Sequence, residues 1–373
     1  MKISWCGFLG KSHSWSEVAK GISRSIKNQG HEIDLFSTNG IIYLPEDLKQ
    51  NIKGYTLENE TDIVGSKLDT NYDIQLTYTC IKNSHYLSNG NKNRFLIWCY
   101  EFNGKSPLPP GFAKYHNNTD LILPPSQFAR EVFLNSGIPD NKMKVIPHGI
   151  NYKDLQEAIP YKFKTNKNTK IGVILGQIHR RKNLTGLLDM YGKAFSSKDD
   201  VCLVLKIQDR PATHVFELNF KDVFADFKNK YPKHAEVEII REFIPNMYDF
   251  YSSCNIVFSA SNCESFGMTQ LESFVLGLIN ITPNYGGYLD FLNDQNSLLI
   301  DGKMFNVPAN YLYWQQRTGL QAFQPDISDG VDKLRFAVAN KEKLLEQYKP
   351  YAAKVKENYD WDHITKNILA LTK

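Results

Sequence analysis

Residues 256–272 read Ile256-Val257-Phe258-Ser259-Ala260-Ser261-Asn262-Cys263-Glu264-Ser265-Phe266-Gly267-Met268-Thr269-Gln270-Leu271-Glu272. The opening run, 256–259, is short and apolar, as a buried strand is. A polar turn follows. A helix is predicted from about Gly267 to Leu278, and 280–282 forms the next strand. Strand, turn, helix and strand in this order build a parallel sheet covered by helices. At such a helix start the N–H groups near Gly267, Met268 and Thr269 have no acceptor within the helix and form a phosphate-binding end. Gly267 lets a ligand approach the backbone closely. Glu264 precedes the helix and Glu272 lies about one and a half turns into it, so both can border one pocket. A carboxylate accepts two hydrogen bonds, which suits paired sugar hydroxyls. Complementing the helix dipole is an equal account of both residues.

Moving outward, Gly176-Gln177-Ile178-His179-Arg180-Arg181-Lys182-Asn183 also joins a predicted strand, 171–175, to a predicted helix. Three adjacent cations at a helix start oppose the dipole, and a bound anion relieves that opposition. A solvated basic loop is the alternative. Taken with the segment around Gly267, a diphosphate ligand accounts for both better.

The same alternation runs through the rest of the chain. Residues 3–8 read as a strand. Ser14 and Glu17 suggest a capping box for a helix with Val18, Ile22 and Ile26 on one face, and Gly30 ends it. Strands are expected at 32–36, 74–78, 95–100, 121–123 and 144–146, with a helix from the cap Ser126 to about Ser136. Residues 151–169, rich in Lys, Asn and Thr, mark a linker. Beyond it, strands are expected at 171–175, 201–207, 237–240, 256–259 and 280–282. The tail from about Asp326 reads as helical, and Trp361, Ile364 and Ile368 form one apolar stripe. The predicted organisation is an N-terminal Rossmann-like domain (1–155), a C-terminal one (165–350) and a last helix (351–373). Ligand is expected in the cleft between two such doubly wound domains.

Several motifs are weaker. Gly7-Phe8-Leu9-Gly10 is a glycine turn after the first strand but not the dinucleotide fingerprint. His148, in Pro147-His148-Gly149, has either a substrate-contacting or a structural role. Glu101 ends a predicted strand, as an acceptor-side carboxylate or an exposed loop residue. Asp360-Trp361-Asp362 is best read as a helix N-cap.

The length, 373 residues, predicts two domains. With 44 Lys and Arg against 40 Asp and Glu, the net charge is +4, which argues against a broad nucleic-acid footprint. No apolar run is long enough for a transmembrane helix. Cys6, Cys80, Cys99, Cys202, Cys254 and Cys263 contain no CxxC pair, so reduced core thiols and a cytoplasmic setting are expected. Contact with the inner face of a membrane stays open.

At these residues the chain resembles the retaining GT-B glycosyltransferases, family four in particular. Glu264-x7-Glu272, with Phe266-Gly267 inside it, looks like that family's EX7E signature. Gly30-His31-Glu32, the passage from Ser126 to Asn151, Arg181-Lys182-Asn183, Pro283-Asn284-Tyr285-Gly286-Gly287 and Asn358-Tyr359-Asp360-Trp361 are similar to its further landmarks. The chain departs from the pattern at Gln177, where many members have Arg, and at Asn183, where many have Gly. Only Gly10 matches the usual first-loop glycine pair.

The resemblance implies two facing Rossmann-like domains with a C-terminal helix returning to the first. It implies transfer of a hexose from a nucleotide-diphosphate sugar to a hydroxyl of a carbohydrate, lipid-linked or small-molecule acceptor. The anomeric configuration is retained, and no metal or other cofactor is needed. Arg181, Lys182 and Glu264 are the implied catalytic residues, with Arg180 or Arg181 standing in at Gln177. Gly10, His148, Gly267, Met268, Thr269 and Glu272 are the implied donor contacts, and Glu101 the acceptor-side candidate. A GT-B-fold nucleotide-sugar epimerase and a noncatalytic sugar-nucleotide-binding subunit are the alternatives.

Overall fold

The computed structural model describes residues 1–10, 14–55, 64–65, 71–79, 93–105, 107–176, 178–207, 218–309, 311 and 319–372. Gln177 and Cys80 therefore lie outside the described residues. The chain divides into two compact units. The first comprises Met1–Tyr100, Ser106–Asn151 and Asn358–Lys373, and the second comprises Glu101–Lys105 and Tyr152–Glu357.

The first unit begins with β1 (Lys2–Leu9), α1 (Ser14–Asn28), β2 (Glu32–Ile42), α2 (Glu46–Lys49), β3 (Ile52–Tyr55), β4 (Val64–Gly65), β5 (Ile74–Tyr78) and β6 (Arg94–Ile97). The pair β7 (Asn103–Gly104) belongs to the second unit. The first then continues with β8 (Leu121–Leu123) and α3 (Gln127–Leu134). Its sheet runs β4-β3-β2-β1-β5-β6-β8. The pairs flanking β1, β5 and β6 are parallel, and β4 is antiparallel to β3. Positions 144–146 are not a strand, because Met143 makes only an isolated bridge to Ile122. The strand expected over 95–100 ends at Ile97.

Why α1 covers this sheet follows from its sequence. Val18, Ile22 and Ile26 recur at helical spacing and pack with Ile3, Trp5 and Ile74 of the strands. Gly30 has φ +78 and closes the helix in the left-handed region. Glu17 pairs with Lys20 at 2.7 Å. Ser126 accepts from the Ala129 amide and caps α3, as expected.

The second unit holds α4 (Tyr152–Gln156), β9 (Thr169–Leu175), α5 (Leu184–Ala194), β10 (Val201–Ile207), α6 (Phe220–Lys230), β11 (Glu236–Ile240), α7 (Met247–Tyr251), β12 (Ile256–Phe258), α8 (Met268–Val275) and β13 (Ile279–Pro283). It continues through β14 (Leu298–Ile300), β15 (Gly302–Asn306), β16 (Leu320–Pro325), α9 (Ile327–Ala339) and α10 (Lys341–Asn358). Its main sheet is β11-β10-β9-β12-β13-β14, with every pair parallel. That is the doubly wound order, and the direction of winding reverses between β9 and β12. A small antiparallel sheet, β15-β16-β7, takes Asn103 and Gly104 as its edge.

The last helix, α11 (Trp361–Leu369), returns to the first unit. Asp360 caps it by accepting from the Asp362 amide, so the Asp-Trp-Asp triplet is an N-cap. The Ser25 hydroxyl donates to the Trp361 carbonyl at 3.1 Å. Gly21 and Gly149 make room for the Trp361 ring: a Cβ on Gly21 would lie 2.0 Å from the indole nitrogen, and one on Gly149 2.7 Å from the ring. Ile364 and Ile368 join the same core as α1. No described helix is long and apolar enough to cross a membrane. The described cysteines, Cys6, Cys99, Cys202, Cys254 and Cys263, are free thiols.

Candidate functional site

Ligands of doubly wound sheets sit outside the carboxyl ends of the strands where the winding reverses. In the second unit that place lies beyond β9 and β12. The basic turn follows β9 and the Glu264 loop follows β12, so the topology brings the two strongest motifs together.

After β9, Arg180–Lys182 forms a single 3-10 turn. Asn183 then takes φ +50, a left-handed conformation that Asn tolerates better than most residues. Its side-chain oxygen accepts from the Gly186 amide and caps α5, while its amide nitrogen donates to the Ala260 carbonyl at 3.1 Å. Asn183 thus supplies the turn geometry of a glycine and adds a cap. Arg180 is exposed, whereas Arg181 and Lys182 are partly buried.

Lys182 and Arg181 each take one oxygen of Glu264. Lys182 Nζ binds Oε1, and Arg181 Nη1 lies 3.1 Å from Oε2. Arg181 Nη1 also donates to the Cys263 carbonyl at 3.2 Å, and Nη2 lies 3.5 Å from Glu101 Oε1. Burial alone would raise the Glu264 carboxyl. Lys182 and Arg181 outweigh it and bring the group down to about 2, so it is ionised at neutral pH. Burial likewise opposes the Arg181 charge, but Glu264 and Glu101 hold the guanidinium above its ordinary value.

The loop is fixed by backbone bonds as well. The Gly287 amide donates to the Glu264 carbonyl at 2.9 Å, which ties Pro283–Gly287 to it. Gly267 stands at φ +94 before α8, and a Cβ there would lie 2.8 Å from the Tyr288 ring. Within α8, Glu272 accepts from the Tyr251 hydroxyl at 2.9 Å. Burial first, and then Glu272, raises Tyr251 well above its usual range, so it remains a donor.

A family model described as glycosyl transferases group 1 matches residues 156–355. The chain belongs to that family. Among relatives of this group 1 glycosyltransferase, Uncharacterized glycosyltransferase 335 of Sulfolobus islandicus rod-shaped virus 1 is 26% identical over 282 residues, covering 66% of this chain and 77% of that protein. A glycosyltransferase from Rickettsia africae ESF-5 superposes with a TM-score of 0.71 at 15% identity, over 100% of this chain and 98% of that one. HepE of Anabaena, solved in complex with UDP-glucose, gives a TM-score of 0.68 at 14% identity, over 99% and 98%. The group 1 glycosyltransferase therefore has the GT-B fold expected from its motifs.

The structure gathers Glu101, Arg181, Lys182 and Glu264 into one ionic cluster and places Gly267, Met268, Thr269 and Glu272 on the adjoining helix. Glu101, expected at the carboxyl edge of the first sheet, belongs to the second unit. Gly10 and His148 belong to the first. A Cβ on Gly10 would meet the Phe8 ring at 2.3 Å. His148 is buried, with Nε2 3.0 Å from the Tyr78 hydroxyl and 3.5 Å from Cys99 Sγ. Burial lowers its imidazole to about 3, so it is neutral at pH 7.

Sequence reasoning missed Tyr251, Asn262 and Tyr311. Asn262 donates its backbone amide to the Arg181 carbonyl at 2.7 Å, and the Tyr311 hydroxyl donates to Asn262 Oδ1 at 2.7 Å. No local pattern marks them, because each acts through a partner distant in sequence.

Proposed function

We propose that this glycosyltransferase moves a hexose from a nucleotide-diphosphate sugar to an acceptor hydroxyl with retention of configuration. The observation that carries this reading is the contact of Lys182 and Arg181 with Glu264 at the winding reversal of the second sheet, directly before the N-terminus of α8. HepE, a structural neighbour, binds UDP-glucose, which supports a nucleotide sugar as donor.

In this account Lys182 and the amides of Met268 and Thr269 receive the diphosphate. Positive charge and oriented N–H groups stabilise the departing anion most at the transition state, where its charge is greatest. Glu264, held ionised, accepts hydrogen bonds from hydroxyls of the transferred sugar. Glu272, oriented by Tyr251, accepts from the ribose. For Gly10 and His148 a donor role rests on the family resemblance alone. The leaving phosphate takes the acceptor proton on the face it departs from, which preserves the anomeric configuration without a protein base. Fixed cations and the helix end supply the electrostatics, so no metal is required. The acceptor is a carbohydrate, lipid-linked or small-molecule hydroxyl.

Proton NMR of slow donor turnover in the absence of acceptor tests the reading. The first sugar released should carry the donor's anomeric configuration. Release of the opposite anomer would contradict retention, and conversion of the donor to an isomeric nucleotide sugar would point to an epimerase.

A further inference from the structure

Glu101 reaches the basic turn from a distant part of the sequence, and it does so on a fixed support. Asn103 and Gly104 pair with Gln321 and Leu320 of β16. Gly104 has φ +130, and a Cβ there would lie 2.4 Å from the Gly319 carbonyl, so this edge is built for glycine. Phe102 is fully buried, edge-on to the Tyr311 ring at 6.2 Å. The Tyr311 hydroxyl in turn donates to Asn262 Oδ1 at 2.7 Å and lies 3.1 Å from the Arg180 carbonyl, an alternative acceptor for the same proton. Asn262 is pinned to β16 by paired bonds with Phe323, each 2.8 Å. The segment that leads from Glu101 into β7 and the turn that carries Arg181 therefore share one hydrogen-bonded frame.

Arg181 spans two carboxylates in that frame, with Nη1 on Glu264 and Nη2 on Glu101. Among the described residues its buried Nε has no hydrogen-bond partner. The cluster balances two cations, Arg181 and Lys182, against two carboxylates, Glu264 and Glu101. Glu264 is already shared with Lys182, so the charge of Glu101 is what brings this cluster to neutrality.

We infer that Glu101 is a positioning residue of the donor site: it holds the Arg181 guanidinium against Glu264, and its charge limits how tightly the site grips a diphosphate. This rests on the reading of the cluster as a diphosphate site. A donor enters and a nucleoside diphosphate of greater charge must leave, so a site with surplus positive charge would retain its product. Glu101 supplies that opposing charge through its contact with Arg181.

The test is calorimetric titration of the full chain with inorganic pyrophosphate, comparing wild type with Glu101→Gln and Glu101→Asp. Glu101→Gln keeps the shape and a hydrogen-bonding oxygen while removing the charge. Its pyrophosphate Kd should fall about tenfold, and the gain should shrink as salt rises from about 0.05 M to about 0.5 M. Glu101→Asp, which keeps the charge, should stay within about twofold of wild type. A role confined to holding the strand in place would instead weaken binding in both variants and lower their melting temperatures. An unchanged or raised Kd in Glu101→Gln overturns the inference while leaving the diphosphate site intact. Failure of wild type to bind pyrophosphate overturns the diphosphate reading itself.

Discussion

Arg181 Nη1 lies 3.1 Å from Glu264 Oε2, while Lys182 occupies the other oxygen of the same carboxylate. One anion is thus fixed by two cations that follow a different strand. The side chains are 12% exposed for Glu264, 13% for Arg181 and 22% for Lys182, so solvent screens these contacts only weakly. Glu264→Ala would leave two partly buried cations without their shared counter-charge, at about 3 kcal/mol of stability. Turnover should fall by about 100-fold or more in Glu264→Gln, which keeps the shape. Urea denaturation and initial rates read the two effects. Wild-type stability in Glu264→Ala would show that the cluster is not energetically coupled.

His148 gives a pH signature. Its folded imidazole is lowered to about 3 from 6.5, so the unfolded chain takes up a proton that the fold excludes. The contribution is fully present above pH 6.5 and is lost as pH falls towards 3, at up to about 1.4 kcal/mol per pH unit. Between pH 7 and pH 5 this residue should account for about 2 kcal/mol of lost stability. Urea midpoints at the two pH values should therefore converge in His148→Gln. An identical pH dependence in variant and wild type would contradict the assignment.

Gly21→Ala should destabilise the protein although it places a better helix former in α1. Propensity favours alanine by about 1 kcal/mol. The added methyl, however, would meet the rigid Trp361 indole at 2.0 Å, and overpacking of this kind costs about 1–3 kcal/mol. A lower urea midpoint is expected. A higher one would mean that α11 does not pack on α1 as described.

The proposal that Lys182 and the α8 amides supply the positive field at the leaving group predicts that prolonged treatment with EDTA followed by desalting leaves the transfer rate unchanged. Complete loss of activity, restored by manganese, would contradict the metal-free account.

Much of this architecture was legible residue by residue. The strands at 74–78 and 201–207 match prediction: the second is a mostly apolar run, the first alternates apolar residues with Gln75 and Thr77, and both are buried on both faces. Ser126, Asp326 and Asp360 mark helix starts through side-chain caps, and Gly30 and Gly137 mark ends through positive φ. The motif loops were legible because a glycine, or a run of cations, beside a predicted helix start is a recognisable local pattern. The small third sheet was not. Its edge, Asn103–Gly104, is only two residues, with no apolar side chain and no periodicity, and it pairs with residues far along the chain. For the same reason the partner of Glu101 could not be read: nothing near it in sequence announces Arg181. The apparent departure at Asn183 has a local explanation, since asparagine tolerates the left-handed region that glycine usually fills.

The claim that the second unit holds a nucleotide-diphosphate sugar through Lys182 and Glu272 is tested most directly by thermal shift. Wild type, Lys182→Ala and Glu272→Ala would each be melted with a panel of uridine, guanosine, adenosine and thymidine diphosphate sugars. One nucleotide class should raise the melting temperature of wild type, by an amount equivalent to about 2.7 kcal/mol at about a hundredfold excess over Kd. That shift should disappear in both variants. No shift in wild type with any nucleotide sugar, or equal shifts in all three proteins, would contradict the account.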